Sequence, residues 1–260
     1  MTAPLLRVTY IGGPTALLEY AGLRFLTDPT LDPAGTEYPT PAYTLQKQQP
    51  PALPPGGLGA VDVVLLSHDH HFDNLDHAGR ALLASAGMVC TTVAGAGRLG
   101  CGARGLEPGA HLRLPAPAGG EVGLTATPAR HGPAGGDRGP CIGFLLESAA
   151  AGAPRVYVSG DTVWYDAVEA IGRGRRVDVA LLNLGAAKVA VAGPAPLTFT
   201  AAEAVALARA WPETLVVPLH FEGWAHFTEG ADAVREAFAA AGLAARLRWL
   251  PPGVPTVLPT

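Results

Sequence analysis

Residues 61–66 read VDVVLL, an apolar run broken only by Asp62, and the chain then turns at once into SHDHHFDNLD. Such a run lacks the in-and-out alternation of a half-exposed strand, so it predicts a strand covered on both faces, inside a layered fold. The ten residues after it hold three histidines and three aspartates, more metal-binding chemistry than a soluble loop requires. Next, LDHAGRALLASAG carries apolar residues at helical spacing with Gly87 as a stop, and MVCTTV resumes a strand. Strand, polar loop and helix in that order make a cradle for a site.

The rest of the chain fills in the layers. Residues 5–11, 15–20 and 23–28 read as a meander of three short strands separated by Gly- and Pro-containing turns. From 29 to 59 the composition shifts to Pro, Gly, Thr and Gln, which predicts a long ordered loop over one edge of the fold. Further strands are expected at 111–114, 121–129, 141–148, 155–161, 177–184 and 214–220, with helices near 163–171, 201–211 and 231–241. Strands first and alternating strands and helices later predict two sheets face to face with helices outside. At 260 residues one domain, 1–260, is the expectation.

Composition excludes several functions. A net charge of −4 and no run of Lys or Arg leave nothing to attract a phosphate backbone or an anionic membrane. The basic stretch at 173–176 suits a helix C-terminus, where cations meet the macrodipole. Cys90, Cys101 and Cys141 have no C-x-x-C spacing and read as buried free thiols. The opening MTAPLLRVTYIGG has no leader pattern and no apolar run is long enough to span a bilayer, so a cytoplasmic protein is expected.

Three more ionisable residues stand at the C-terminal ends of expected strands: His131, Asp161 and His220. Taken singly, Asp161 reads equally as a helix N-cap, His131 as a solvated loop residue and His220 as a satisfied core histidine. Together with the histidine cluster they predict a metal site assembled from four strand ends, where a rigid sheet fixes side chains that still reach a ligand.

In this order the chain resembles the metallo-β-lactamase superfamily, in which an H-x-H-x-D-H loop is followed by a distant His, a bridging Asp and a final His. The stretches TYIGGPTALLEYAGLRFLTDPTLD and VSGDTVWYD also resemble the branch of small metal-dependent hydrolases related to ascorbate-phosphate lactonases. The resemblance implies an α+β fold, a four-layer αββα sandwich of two mixed β-sheets flanked by helices. The first motif departs from the pattern. Placing His68 and His70 on the first two histidines puts Phe72 where the motif has Asp and Asp73 where it has its last His. A frame moved by one residue keeps His71 and Asp73, and sets Asp69 in place of the first His and Asn74 in place of the last. This second register is favoured, because Leu75 and Asp76 then complete the D-H-L-D ending.

On that register the resemblance implies one ion held by Asp69, His71 and His131 and a second by Asp73, Asp161 and His220, with Asp161 bridging. His68 borders the site as a hydrogen-bonding neighbour, Asn74 is at best a weak ligand, and His70 joins Asp73 in the catalytic group. Mixed imidazole and carboxylate ligands suit two divalent ions, zinc or manganese, with iron a further candidate. Such a centre lowers the pKa of water from 15.7 toward about 7 and polarises a carbonyl or phosphoryl oxygen. The expected activity is hydrolysis of a small ester, lactone or phosphodiester, with the 29–59 loop as a lid. Lys188 is expected to meet an anionic substrate and Trp224 to shape the pocket, core packing being the other reading of that ring. An iron-dependent dioxygenase and a non-catalytic binder with degenerate ligands are the alternatives. A small molecule is the expected partner, with neither nucleic acid nor membrane.

Overall fold

The computed structural model describes residues 6–40, 42–100, 102–117, 119–174 and 176–258. Cys101 and Arg175 lie outside the described residues, as does Leu5 at the start of the first expected strand. Strands β1 (Leu6–Gly12), β2 (Thr15–Tyr20) and β3 (Leu23–Thr27) form the expected antiparallel meander. The 29–59 segment is not loop throughout, because β4 (Glu37–Pro39) and β5 (Thr44–Gln46) pair as a hairpin within it. The VDVVLL run gives β6 (Val63–Leu65), parallel to β3.

Helix α1 (His77–Leu82) follows the histidine cluster, and β7 (Met88–Thr92) comes next. The expected strand at MVCTTV ends one residue early, because the Thr92 side chain accepts from Gly95 N and caps a short helix, α2 (Val93–Leu99). Strand β8 (Arg104–Leu106) completes this side, and β9 (His111–Pro115), β10 (Glu121–Pro128), β11 (Ile142–Ser148) and β12 (Val156–Val158) open the other. Alternation follows: α3 (Asp166–Glu169), β13 (Val179–Asn183), α4 (Ala201–Ala210), β14 (Leu215–Leu219), α5 (Ala231–Ala240), and last β15 (Thr256–Val257).

Two mixed sheets result, in the orders β15-β1-β2-β3-β6-β7-β8 and β14-β13-β12-β11-β10-β9. In the first, pairing is antiparallel up to β3 and parallel beyond it; in the second, β12, β13 and β14 run parallel. Strand β6 shows why its sequence is apolar throughout. Val63 and Leu65 pack into the cluster shared with Val122, Phe144 and Leu181 of the facing sheet, while Val64 and Leu66 pack outward with Ala78 and Leu82 of α1. Each such buried side chain contributes about 1.5–3 kcal/mol, so both faces of the strand are anchored. Helices α4 and α5 cover the second sheet through Ala204, Leu207, Val234 and Phe238. This is the αββα sandwich. Among the described residues no helix is long and apolar enough to cross a membrane.

Candidate metal centre

The parallel strands of both sheets deliver their C-terminal ends to one edge. Past β6, Asp28 fastens the histidine loop at both ends: its Oδ1 accepts from Ser67 N at 2.6 Å and its Oδ2 from Asn74 Nδ2 at 3.3 Å. Burial, and then the charge of Asp161, push the Asp28 carboxyl up to about 7. Asp76 closes the loop by capping α1, its Oδ1 accepting from Gly79 N at 2.8 Å. Beyond β12, Gly160 adopts φ +58, where a Cβ would lie 2.6 Å from both Ile142 O and Ser67 Cβ, so the chain carries Asp161 closer to the loop than another residue would allow. His220, immediately after β14, has φ +54; a non-glycine residue held there costs about 1–3 kcal/mol and is characteristic of functional positions.

Three imidazole nitrogens converge. His71 Nδ1 lies 2.9 Å from His68 Nε2 and 3.1 Å from His131 Nε2, and a single proton on that nitrogen serves only one of the two neighbours. His131 donates from Nδ1 to Leu197 O at 2.9 Å, which leaves its Nε2 as the lone-pair atom; a backbone carbonyl behind the ring is the usual way to orient a metal-ligating histidine. Burial and the neighbouring imidazoles lower His68 well below the histidine range and His71 to about 3. His68 and His71 are neutral at pH 7, the form that binds metal.

A second group stands beside the first and shares Asp161. Its Oδ2 is 3.6 Å from His131 Nε2 and its Oδ1 is 3.1 Å from His220 Nδ1. His220 Nε2 lies 3.7 Å from Asp73 Oδ2. Burial would raise both carboxyls, and the imidazoles around them, His226 and His220 at Asp73 and His220 first at Asp161, hold them below the carboxylate range. Asp161 Oδ2 and both ring nitrogens of His220 are buried without a hydrogen-bond partner. Two buried carboxylates and an imidazole whose ring nitrogens make no hydrogen bond, with neighbouring donors about 3 Å apart, fit ligands of ions with bonds of about 2.0–2.2 Å. His68, His131 and Asp161 bring one ligand atom each within 4.8 Å of one another, as do Asp73, Asp161 and His220.

The geometry departs from the register read in the sequence. Asp69, expected to stand for the first histidine, turns to Arg98, whose Nε donates to Oδ2 at 2.9 Å and whose Nη2 meets Oδ1. His68, expected as a neighbour, instead points Nε2 into the cluster. Asn74 faces Asp28 and not the ion positions. His70 donates from Nε2 to Arg138 O at 2.8 Å and sits against His71 at the rim of the cluster. The structure brings His71, Asp73, His131, Asp161 and His220 together. Lys188 is exposed and does not line the pocket, and Trp224 is buried with Tyr38 and Leu45 in a small core cluster.

Two residues of the site were not singled out from sequence. Asn183, the polar end of an apolar strand, donates from Nδ2 to Asp161 Oδ1 at 2.8 Å. His226, in the segment after β14, places Nε2 3.0 Å from Asp73 Oδ2. A narrow pocket opens above His71, Asp73, His131 and His226, walled by Leu45, Val189 and Leu197. Arg138 also lines it, its guanidinium beside the Tyr43 hydroxyl.

Comparison with known proteins agrees with this architecture. A sequence model of the beta-lactamase superfamily domain matches residues 23–221. A UPF0173 metal-dependent hydrolase of Opitutus terrae is 32% identical over 231 residues, 83% of this chain and 85% of that protein. Proteins of Mycobacterium tuberculosis and Mycobacterium bovis are 42% identical over 74 residues, which is 28% of this chain and 19% of their own length. The crystal structure of an isothiocyanate hydrolase from Delia radicum gut bacteria superimposes with a TM-score of 0.83 at 21% identity, over 98% of this chain and 100% of that one. CmlA, a diiron β-hydroxylase from Streptomyces venezuelae, does so with 0.63 at 17%, over 99% of this chain and 55% of its own. The chain belongs to the metallo-β-lactamase superfamily, and within it to the family of metal-dependent hydrolases that the Opitutus protein represents. The last two likenesses establish the fold alone, since the same sandwich carries a hydrolase in one case and a hydroxylase in the other.

Proposed function

We propose that this protein hydrolyses a small ester, lactone or phosphodiester with two divalent ions, zinc or manganese. The reading is carried by the two donor groups that share Asp161 at the foot of one pocket, with its Oδ2 and the His220 nitrogens unpartnered. His68, His71 and His131 would hold one ion, Asp73 and His220 the other, and Asp161 both. When bound, such ions lower the pKa of water toward neutrality and polarise a carbonyl or phosphoryl oxygen.

The chain's own groups do the rest. Asp73, kept ionised by His226 and His220 against its burial, accepts a hydrogen bond from the attacking water and orients it. Leu45, Val189 and Leu197 make the walls apolar and keep bulk water from the reacting bond. Arg138, and not Lys188, is the cation placed to meet an anionic group of the substrate.

The test is elemental analysis of protein purified without added metal or chelator, followed by assays on panels of esters, lactones and phosphodiesters. About two equivalents of zinc or manganese per chain are expected for a two-metal site, and His131→Ala and His220→Ala should lose metal and activity together. Hydrolysis that survives either change refutes the proposal. A single iron with thiol-dependent oxygen uptake replaces it with the dioxygenase reading.

A further inference from the structure

Asn74 occupies the position at which the histidine loop would supply its last imidazole, and its amide nitrogen is turned to Asp28. Its amide donates to Asp28 at 3.3 Å and its Oδ1 is buried without a partner. The second ion position is left with Asp73, Asp161 and His220 from the residues that sequence reasoning assigned. Beside them lies an imidazole that no motif predicted. His226 Nε2 is 3.0 Å from Asp73 Oδ2, on the pocket side, and its side chain is only 11% exposed.

We infer that His226 is a ligand of the second ion and supplies the imidazole that Asn74 cannot; this rests on the two-ion reading above. The spacing to Asp73 suits it, because two ligand atoms about 2.1 Å from one ion and near a right angle apart lie about 3 Å from each other. The backbone around His226 is fixed before any ligand arrives. Ala225 N donates to Gln46 O at 3.1 Å, Lys188 N donates to His226 O at 3.0 Å, and Thr228 N donates to Gly185 O at 2.9 Å. The ring is seated against Phe227, with centroids 4.7 Å apart. Nδ1 is buried and makes no hydrogen bond, so the polar work of this imidazole is at Nε2, the atom that faces Asp73. His226 thus reaches from the segment after β14 to the place that a residue of the β6 loop would otherwise fill.

The experiment titrates chelator-stripped protein with Zn²⁺ and separately with Mn²⁺, reading stoichiometry and affinity, for wild type, His226→Ala, His226→Gln and the double variant Asn74→His/His226→Ala. Far-ultraviolet circular dichroism and the melting curve verify the fold of each. Loss of an outer hydrogen-bond partner already weakens metal binding about 10–100-fold, so removing a ligand should weaken the second ion by about 100-fold or more and leave the first in place. Asn74→His should restore it in the His226→Ala background. Folded His226→Ala and His226→Gln proteins that bind two ions with wild-type affinity overturn the inference and leave the two-ion reading standing. Wild type that takes up fewer than two ions overturns that reading and this one with it.

Discussion

Lys47 is buried at the end of β5, with its Nζ 2.9 Å from Asp76 Oδ2 and side-chain exposures of 4% and 0% for the pair. Burial holds the amine below the ordinary lysine range in spite of Asp76. Replacing Lys47 with Met keeps most of the volume and removes the charge, so Asp76 becomes a buried carboxylate without its cation. Breaking a buried pair from one side costs about 3–5 kcal/mol. Here Asp76 keeps two backbone donors, Asp32 N at 2.7 Å on Oδ2 and Gly79 N at 2.8 Å on Oδ1, which places the cost at the lower end, about 3 kcal/mol. For a chain of this size each kcal/mol moves the melting temperature by about 2–4 °C, so a fall of about 6–12 °C is expected. The assay is a thermal and urea denaturation cycle on Lys47→Met, Asp76→Asn and the double variant. A coupling energy of about 2 kcal/mol is expected, within the range for residues in direct contact. The double variant should melt above Lys47→Met, because it buries no unpaired charge. A Lys47→Met protein that melts within about 2 °C of wild type, or a coupling near zero, would refute the reasoning.

The remaining expectations concern the histidine loop and the helix after it. His68→Ala should lose one ion, whereas Asp69→Asn should keep the full metal content with an affinity loss of no more than about 10-fold, since the Asp69 carboxylate is turned to Arg98 and not to the ion positions. The opposite pattern in a metal titration would reinstate the register read from the sequence. Gly79→Ala should destabilise the fold by more than about 2 kcal/mol, because the new Cβ stands 1.8 Å from Pro29 O and either α1 or the 29–59 segment has to yield. An unchanged urea midpoint would show that the two elements move apart freely.

Where the sequence misled is physically specific. In the run His68-Asp69-His70-His71, four consecutive donors leave a single loop, and which of them face inward depends on its dihedrals and not on residue type. Arg98, 29 residues further on, claims Asp69, and a pairing of that separation leaves no local trace. Asn74 reads as a weak ligand by its chemistry, and the partner of its amide, Asp28, is 46 residues earlier. The hairpin within 29–59 was hidden because its strands are three residues each, too short to show a period of two.

What the sequence determined by itself is the layering and the kind of side chain at the strand ends: unbroken apolar runs require strands covered on both faces, and the polar residues that end them are the candidate donors. Burial preference is local and accumulates along a strand, so it can be read from consecutive residues. The tertiary structure alone decided how those candidate donors are arranged. Strand pairing and the positive φ values at Gly160 and His220 aim side chains from four separate connections at one point, and a change of one residue in any of those connections would turn its donor away.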